Sequence, residues 1–145
     1  MPVIGRDCTR RTFLIALAAP LFADTHQEIS EFLGALAAAL SEGNSSAFLD
    51  HVDHAMPDYY KFEQYVAALI AQDEVACSID ILKQEGDEQS QTLELDWFLQ
   101  IHPRDVIGNV ENRRQTVKAR LERKKKKWKI VALEPITLFA PPGVR

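Results

Sequence analysis

Cysteine is nearly missing from this chain of 145 residues, which has two, Cys8 and Cys77. Once residues 1–23 are set aside only Cys77 remains, so no intramolecular disulfide can staple the rest and packing alone must hold it together. Cys77 shares the parity of Val75, Ile79 and Ile81, which makes it a small buried hydrophobe rather than a reactive thiol. Long apolar runs are missing too: the uncharged stretch Thr12–Ala23 has 12 residues, whereas a spanning helix needs roughly 20. No permanent membrane span is expected. There is no Gly-rich phosphate loop, no Cys/His zinc spacing and no G-x-S-x-G elbow, so nucleotide, zinc and serine-hydrolase readings fall away and no cofactor is expected. Basic charge is scarce in the first part of the chain, where Asp24–His102 has 2 Lys+Arg against 16 Asp+Glu, while Pro103–Arg145 has 12 against 4. Residues 24–145 are net acidic, which argues against nucleic acid as a partner. The run Lys124–Lys127 reads as a solvated hairpin turn.

What is present at the start is an export signal in outline. Arg10 and Arg11 precede the apolar run, Ala23 supplies a small residue, and Asp24-Thr25-His26-Gln27-Glu28 begins a polar segment. The stretch Thr9-Arg10-Arg11-Thr12-Phe13-Leu14 resembles the twin-arginine pattern. That resemblance implies recognition of residues 1–23 by export machinery, passage in the folded state, and a mature protein that is periplasmic or extracellular. A chain that folds in a reducing compartment before export has no use for disulfides, which agrees with the cysteine count.

The remainder, residues 24–145, has the size of one domain. Thr25-x-x-Glu28 suggests a capping box, after which Ile29, Phe32, Leu33, Leu36 and Leu40 recur at helical spacing until Gly43. A short helix follows Asn44, stopped by Pro57, and Asp58 opens a third helix to about Gln72. The period then changes to two. Val75–Ile81 and Leu93–Ile101 make a hairpin around Glu85–Glu88, a connection spans Pro103–Asn112, and Gln115–Leu121 and Trp128–Pro135 form two more strands. Outward positions Glu94, Asp96 and Phe98 on the second strand, with Arg114, Lys118 and Arg120 on the third, mix charge with an aromatic ring. Such a face suits a homodimer formed through the sheet.

This order of elements, with Leu95-Asp96-Trp97 and Trp128-Lys129-Ile130-Val131 on long strands, resembles the nuclear transport factor 2-like, or SnoaL-like, superfamily over nearly all of residues 24–141. The resemblance implies an α+β, cone-like fold in which three N-terminal helices pack on a curved, mainly antiparallel four-stranded sheet. It also implies a mostly apolar pocket, which Leu36, Tyr65, Leu69, Trp97 and Val117 would line. The first helix offers no hydroxyl where isomerase-like members place a tyrosine, and Asp96 falls on the outward parity. The favoured reading is therefore a domain that binds a small apolar ligand without catalysis. Two alternatives stay open: an isomerase, dehydratase or hydrolase that would use Tyr65, His102 and Asp58, and a dimerising interaction module whose cone is filled by its own side chains. His51 and His54, three apart on a helix, are the weak candidates for a metal site, and a solvated helix end is preferred for them.

Overall fold

The computed structural model describes residues 24–104 and 109–142. The expected export signal, with Arg10 and Arg11, lies outside them. The chain divides into two compact units, Met1–Glu31 and Phe32–Arg145. In the first unit the described residues form the opening turns of helix α1, which spans 24–41, and Gln27 Nε2 donates to Glu31 Oε1 at 3.2 Å. Residue 24 is already helical, so Thr25 lies inside the helix and the capping box expected there does not start it.

The second unit carries the rest of α1, then α2 (Ser45–Leu49), α3 (Tyr59–Gln72), β1 (Asp73–Gly86), β2 (Ser90–Pro103), β3 (Glu111–Lys124), β4 (Lys127–Glu134) and a short 3₁₀ turn, η1 (Ile136–Phe139). Gly43 ends α1 at φ +72°, a left-handed position that glycine occupies without a Cβ penalty, and Asn44 N–H donates to the Ala39 carbonyl at 2.9 Å. Asn44 then caps α2, its Oδ1 accepting from Ala47 N–H at 3.0 Å. The second helix stops at Leu49, well before Pro57, because the chain turns to bring Val52 beside Ile130 of β4, where Asp53 N–H donates to the Ile130 carbonyl. Asp58 does precede α3, but at φ +61° and with no side-chain capping bond.

The strands form one antiparallel meander in the order β1-β2-β3-β4. Period two explains the burial: Leu93, Leu95, Trp97, Leu99 and Ile101 of β2 and Val117, Ala119 and Leu121 of β3 are buried on one face. Together with Leu36, Leu40, Phe48, Phe62, Val66 and Leu69 from the helices they form the core, at about 1.5–3 kcal/mol for each large side chain removed from water. The opposite face is charged in register. Lys83 faces Glu94, Glu94 faces Lys118 and Lys118 faces Glu134, so one row crosses all four strands with alternating sign. Asp96 takes a bidentate grip from Arg114, at 2.6 Å for the shorter contact. A bulge leaves Leu82 as the unpaired residue between Ile81 and Lys83, 58% exposed. No helix among the described residues is long and apolar enough to cross a membrane.

The lysine run is the β3–β4 turn. Lys125 and Lys126 both have positive φ, +50° and +69°, as a two-residue hairpin turn of this hand requires, and side chains other than Asn and Gly are disfavoured there. Replacing the pair by Asn-Gly is expected to raise the unfolding free energy by about 1 kcal/mol, read as a higher urea midpoint with unchanged slope. A lower midpoint would show that the lysines stabilise the turn in another way.

Candidate functional site

Charged side chains are rare inside this fold, and two of them lie at the end of the sheet where β1 and β3 begin. Asp73, the first residue of β1, keeps the inward parity of Val75 and is only 4% exposed. Arg113 faces Leu99 across β2 and β3, with its side chain 12% exposed. Arg113 Nε donates to Glu111 Oε2 at 2.6 Å, and Nη1 donates to the Leu138 carbonyl at 2.8 Å and to that of Ala140. The arginine thus holds the strap η1 to the sheet. Its Nη2, and Asp73 Oδ2, are buried with no hydrogen-bond partner. A third charge completes the group: Arg104 donates from Nη2 to the Ile70 carbonyl at 3.2 Å.

Burial pushes the Asp73 carboxyl above its ordinary 3.8, and the charges of Arg113 and Arg104 oppose that rise. Burial likewise lowers Arg113, against the charge of Asp73. A carboxyl whose folded-state pKa is raised favours folding fully below its unfolded value. That contribution is lost as pH rises through the folded value. Asp73→Asn, which stays neutral, is therefore expected to gain stability relative to the native chain as pH climbs from 3.8 through the raised value, and to hold that gain above it. Denaturant titrations of both chains at several pH values measure the difference, which isolates Asp73 from Asp53, Asp87 and Asp96, whose partners shift them the other way. A gap that closes or reverses with rising pH would contradict the assignment.

Each member of the pair opens onto its own cleft. Asp73 lines one of about 450 Å³ with Ser41, Glu42, Val75, His102 and Arg104. Arg113 lines another of about 560 Å³ with Tyr65, Glu111, Thr137, Leu138 and Ala140. The three residues considered for acid–base chemistry are not brought together. Tyr65 is half-buried in the Arg113 cleft with Lys61 Nζ 5.7 Å from its ring centre. His102 is exposed, sits on the outward parity, and pairs its Nε2 with Gln100 Oε1 at 3.1 Å, though it borders the Asp73 cleft. Asp58 is exposed and borders neither.

Of the residues expected to line an apolar pocket, Leu36, Leu69, Trp97 and Val117 are wholly buried. Phe139, carried by η1, occupies the space beside Trp97: its ring meets Trp97 edge-on at 5.1 Å and Phe62 at 5.2 Å, with Phe48 at 6.0 Å. Trp97 Nε1 donates to Cys77 Sγ at 3.1 Å, and burial pushes that thiol up to about 12, so it stays protonated and unreactive. The two histidines do not share a helix face, because α2 ends before them. His51 Nδ1 pairs with the Ala47 carbonyl at 2.8 Å and its ring meets Phe32 edge-on, while the His54 ring lies 4.8 Å from that of Tyr59. Among the described residues no three His, Cys, Asp or Glu side chains gather as metal ligands would. The basic hairpin borders a further cleft of about 670 Å³ with Asp50, Asp53 and His54, where Lys124 pairs with Asp53 and Lys129 donates to the Asp50 carbonyl.

Sequence reasoning missed Asp73 and Arg113. Each lies one alternation beyond a residue placed on the inward parity: Val75, which is buried, and Gln115, which shares the parity of Val117 but is exposed, so the expected inward face of β3 is buried only from Val117 to Leu121. Extending the period-two pattern by two residues at the start of each strand finds both.

No family model and no curated protein sequence matches this chain. Solved structures do. A conserved protein from Planctomyces limnophilus superposes with a TM-score of 0.68 at 11% identity, over 77% of this chain and 94% of that one. A nuclear transport factor 2-like superfamily protein from Salmonella enterica gives 0.63 at 12%, over 77% and 89%. A candidate scytalone dehydratase from Novosphingobium aromaticivorans gives 0.64 at 8%, over 77% and 85%. Likeness at such identities is one of architecture, and three helices with a four-stranded antiparallel meander give this chain the nuclear transport factor 2-like, α+β fold.

Proposed function

We propose that this is an exported domain that binds a small, largely apolar ligand without turning it over, taking the ligand at the end of the sheet beside Asp73 and Arg113. The observation that carries the reading is the half-satisfied polar pair. A buried polar atom without a partner costs about 1–3 kcal/mol, so folding alone gives no reason to keep two of them beside open clefts. Catalysis is the weaker use of the same groups. Arginine stays protonated at neutral pH and cannot relay a proton, and no histidine or tyrosine hydrogen-bonds to Asp73. Mass measurement of the intact chain, purified from its own source under non-denaturing conditions, should find a small molecule bound. Protein free of any co-purifying molecule, together with a turnover that Tyr65→Phe abolishes, would replace this reading with the enzymatic one.

A second reading is favoured by the ring cluster around Phe139, which fills the interior beside Trp97: the domain is an interaction module that dimerises through the charged outer face of its sheet. The alternating row from Lys83 to Glu134 suits contact with a second copy. Sedimentation at high micromolar concentration should give a dimer mass, and a monomer would dismiss it. Export is tested separately, by fusing residues 1–23 to a reporter active only after folded export; Arg10→Lys with Arg11→Lys should abolish delivery.

A further inference from the structure

The β3–β4 hairpin carries more positive charge than a turn needs. Lys124, Lys125, Lys126 and Lys127 are all exposed, and Lys129 follows on β4. Two features oppose this arrangement. Lys125 and Lys126 both sit in the left-handed region, at φ +50° and +69°, which lysine adopts at a cost that glycine escapes. Lys127 faces Lys124 across the ladder, and like charges directly opposite each other on a sheet repel. Only part of this charge is answered within the fold. Lys124 pairs with Asp53 and Lys129 donates to the Asp50 carbonyl, whereas Lys125, Lys126 and Lys127 make no ion pair among the described residues. Backbone strain of this kind collects where a site is built.

The same lysines gather round a cavity. Lys124, Lys125, Lys127 and Lys129 border the cleft of about 670 Å³, with Asp50, Val52, Asp53 and His54. We infer that this cleft binds a soluble phosphomonoester, its doubly charged phosphate held among the lysine ammonium groups. The volume is that of a small-molecule site and leaves room for an organic body beside the phosphate. Charge sets the class of ligand. Four lysines against two aspartates leave an excess of two positive charges in the cleft, and a phosphomonoester carries about −1.5 to −2 near neutral pH. A carboxylate or a sulfate ester, with a single charge, answers only half of that excess. Donor geometry agrees, because no arginine among the described residues borders the cleft and Arg123 lies instead over the Trp128 ring at 4.5 Å. A planar carboxylate is gripped best by a guanidinium fork, whereas separate ammonium groups suit the oxygens of a tetrahedral anion. A long polyanion or an anionic bilayer is a poorer match: Asp50 and Asp53 stand in the cleft itself, and residues 24–145 are net acidic. The site is separate from the one beside Asp73 and Arg113, since Lys124 closes β3 while Arg113 stands near its start.

Calorimetric titration of the full chain with phenyl phosphate, phenyl sulfate and benzoate separates these possibilities. Phenyl phosphate should bind about tenfold more tightly than either monoanion, and it should move the amide resonances of residues 124–129. Two variants then set binding against stability. Lys127→Gln removes the like-charge contact, and Lys125→Asn with Lys126→Gly relieves the turn. Both should unfold at a higher urea concentration than the native chain and yet bind phenyl phosphate about fivefold more weakly. Weaker binding by a more stable chain cannot be laid to misfolding. Equal affinity for the three probes, no binding of any of them, or unchanged affinity in both variants would overturn the inference. So would cosedimentation with vesicles of phosphatidylcholine and phosphatidic acid by a chain that ignores phenyl phosphate, because that result is adsorption of a charged turn to a surface. None of these outcomes bears on the ligand beside Asp73 and Arg113, which the co-purification measurement decides on its own.

Discussion

Phe139→Ala is expected to remove about 3–5 kcal/mol of stability, the range for deleting a buried phenylalanine ring that its surroundings cannot replace. Phe139 is fully buried, and its ring contacts those of Trp97, Phe62 and Phe48, which come from β2, α3 and α2. No neighbouring element can collapse into the vacancy without moving at least one of these rings, so the cavity part of the cost should be near its upper range. Urea unfolding followed by tryptophan fluorescence measures the loss and also reports on Trp97, which loses its edge-on partner. A loss below about 1 kcal/mol would mean that the cluster adjusts freely. In that case the interior near Trp97 would be open to a ligand after all, and the ligand-lining role first expected for Trp97 would regain support.

Arg113→Met should cost about 2–4 kcal/mol, because it strips partners from Glu111 and from two carbonyl groups that are shielded from solvent. Methionine fills much of the same volume, so the loss reports on hydrogen bonds and charge more than on packing. Arg113→Lys should recover little of it, since an ammonium cannot serve Glu111 and both carbonyls in one planar fork. The partners at Leu138 and Ala140 bracket Phe139, so the arginine and the phenylalanine hold the same strap. Their effects should fall short of additivity in a double-mutant cycle. Strict additivity would show that the strap stays in place when either hold is lost.

Asp73 and Arg113 mark the boundary between what the sequence disclosed and what it did not. Period two from Val75 to Ile81 and from Leu93 to Ile101, and the helical spacing through Phe62, Val66 and Leu69, identified the elements because burial on one face imposes a repeat. Gly43, Asn44 and the lysine turn marked real boundaries for the same reason that backbone geometry restricts residue type. Asp73 was hidden because a charged residue between a helix and a strand looks like a junction. Arg113 was hidden because the third strand begins at Glu111, six residues before its apolar alternation starts at Val117. The histidine pair failed differently: helical spacing was applied to a segment where α2 has already ended, and only the long-range bridge from Val52 to Ile130 explains why it ends there. No local pattern encodes a contact across that separation.

The bulge in β1 sets where this chain tolerates a change of length. Ile81 faces Leu95 and Lys83 faces Glu94, so Leu82 is surplus to the ladder. Its deletion would restore regular pairing on both sides. Loss of one residue between Asp73 and Ile81 would instead slide the upstream strand by one step, turning Cys77 and Ile79 toward solvent and Ser78 and Asp80 toward the core. Insertions and deletions inherited by the first hairpin should therefore collect at residue 82, and relatives that differ there by one residue should keep the same face buried.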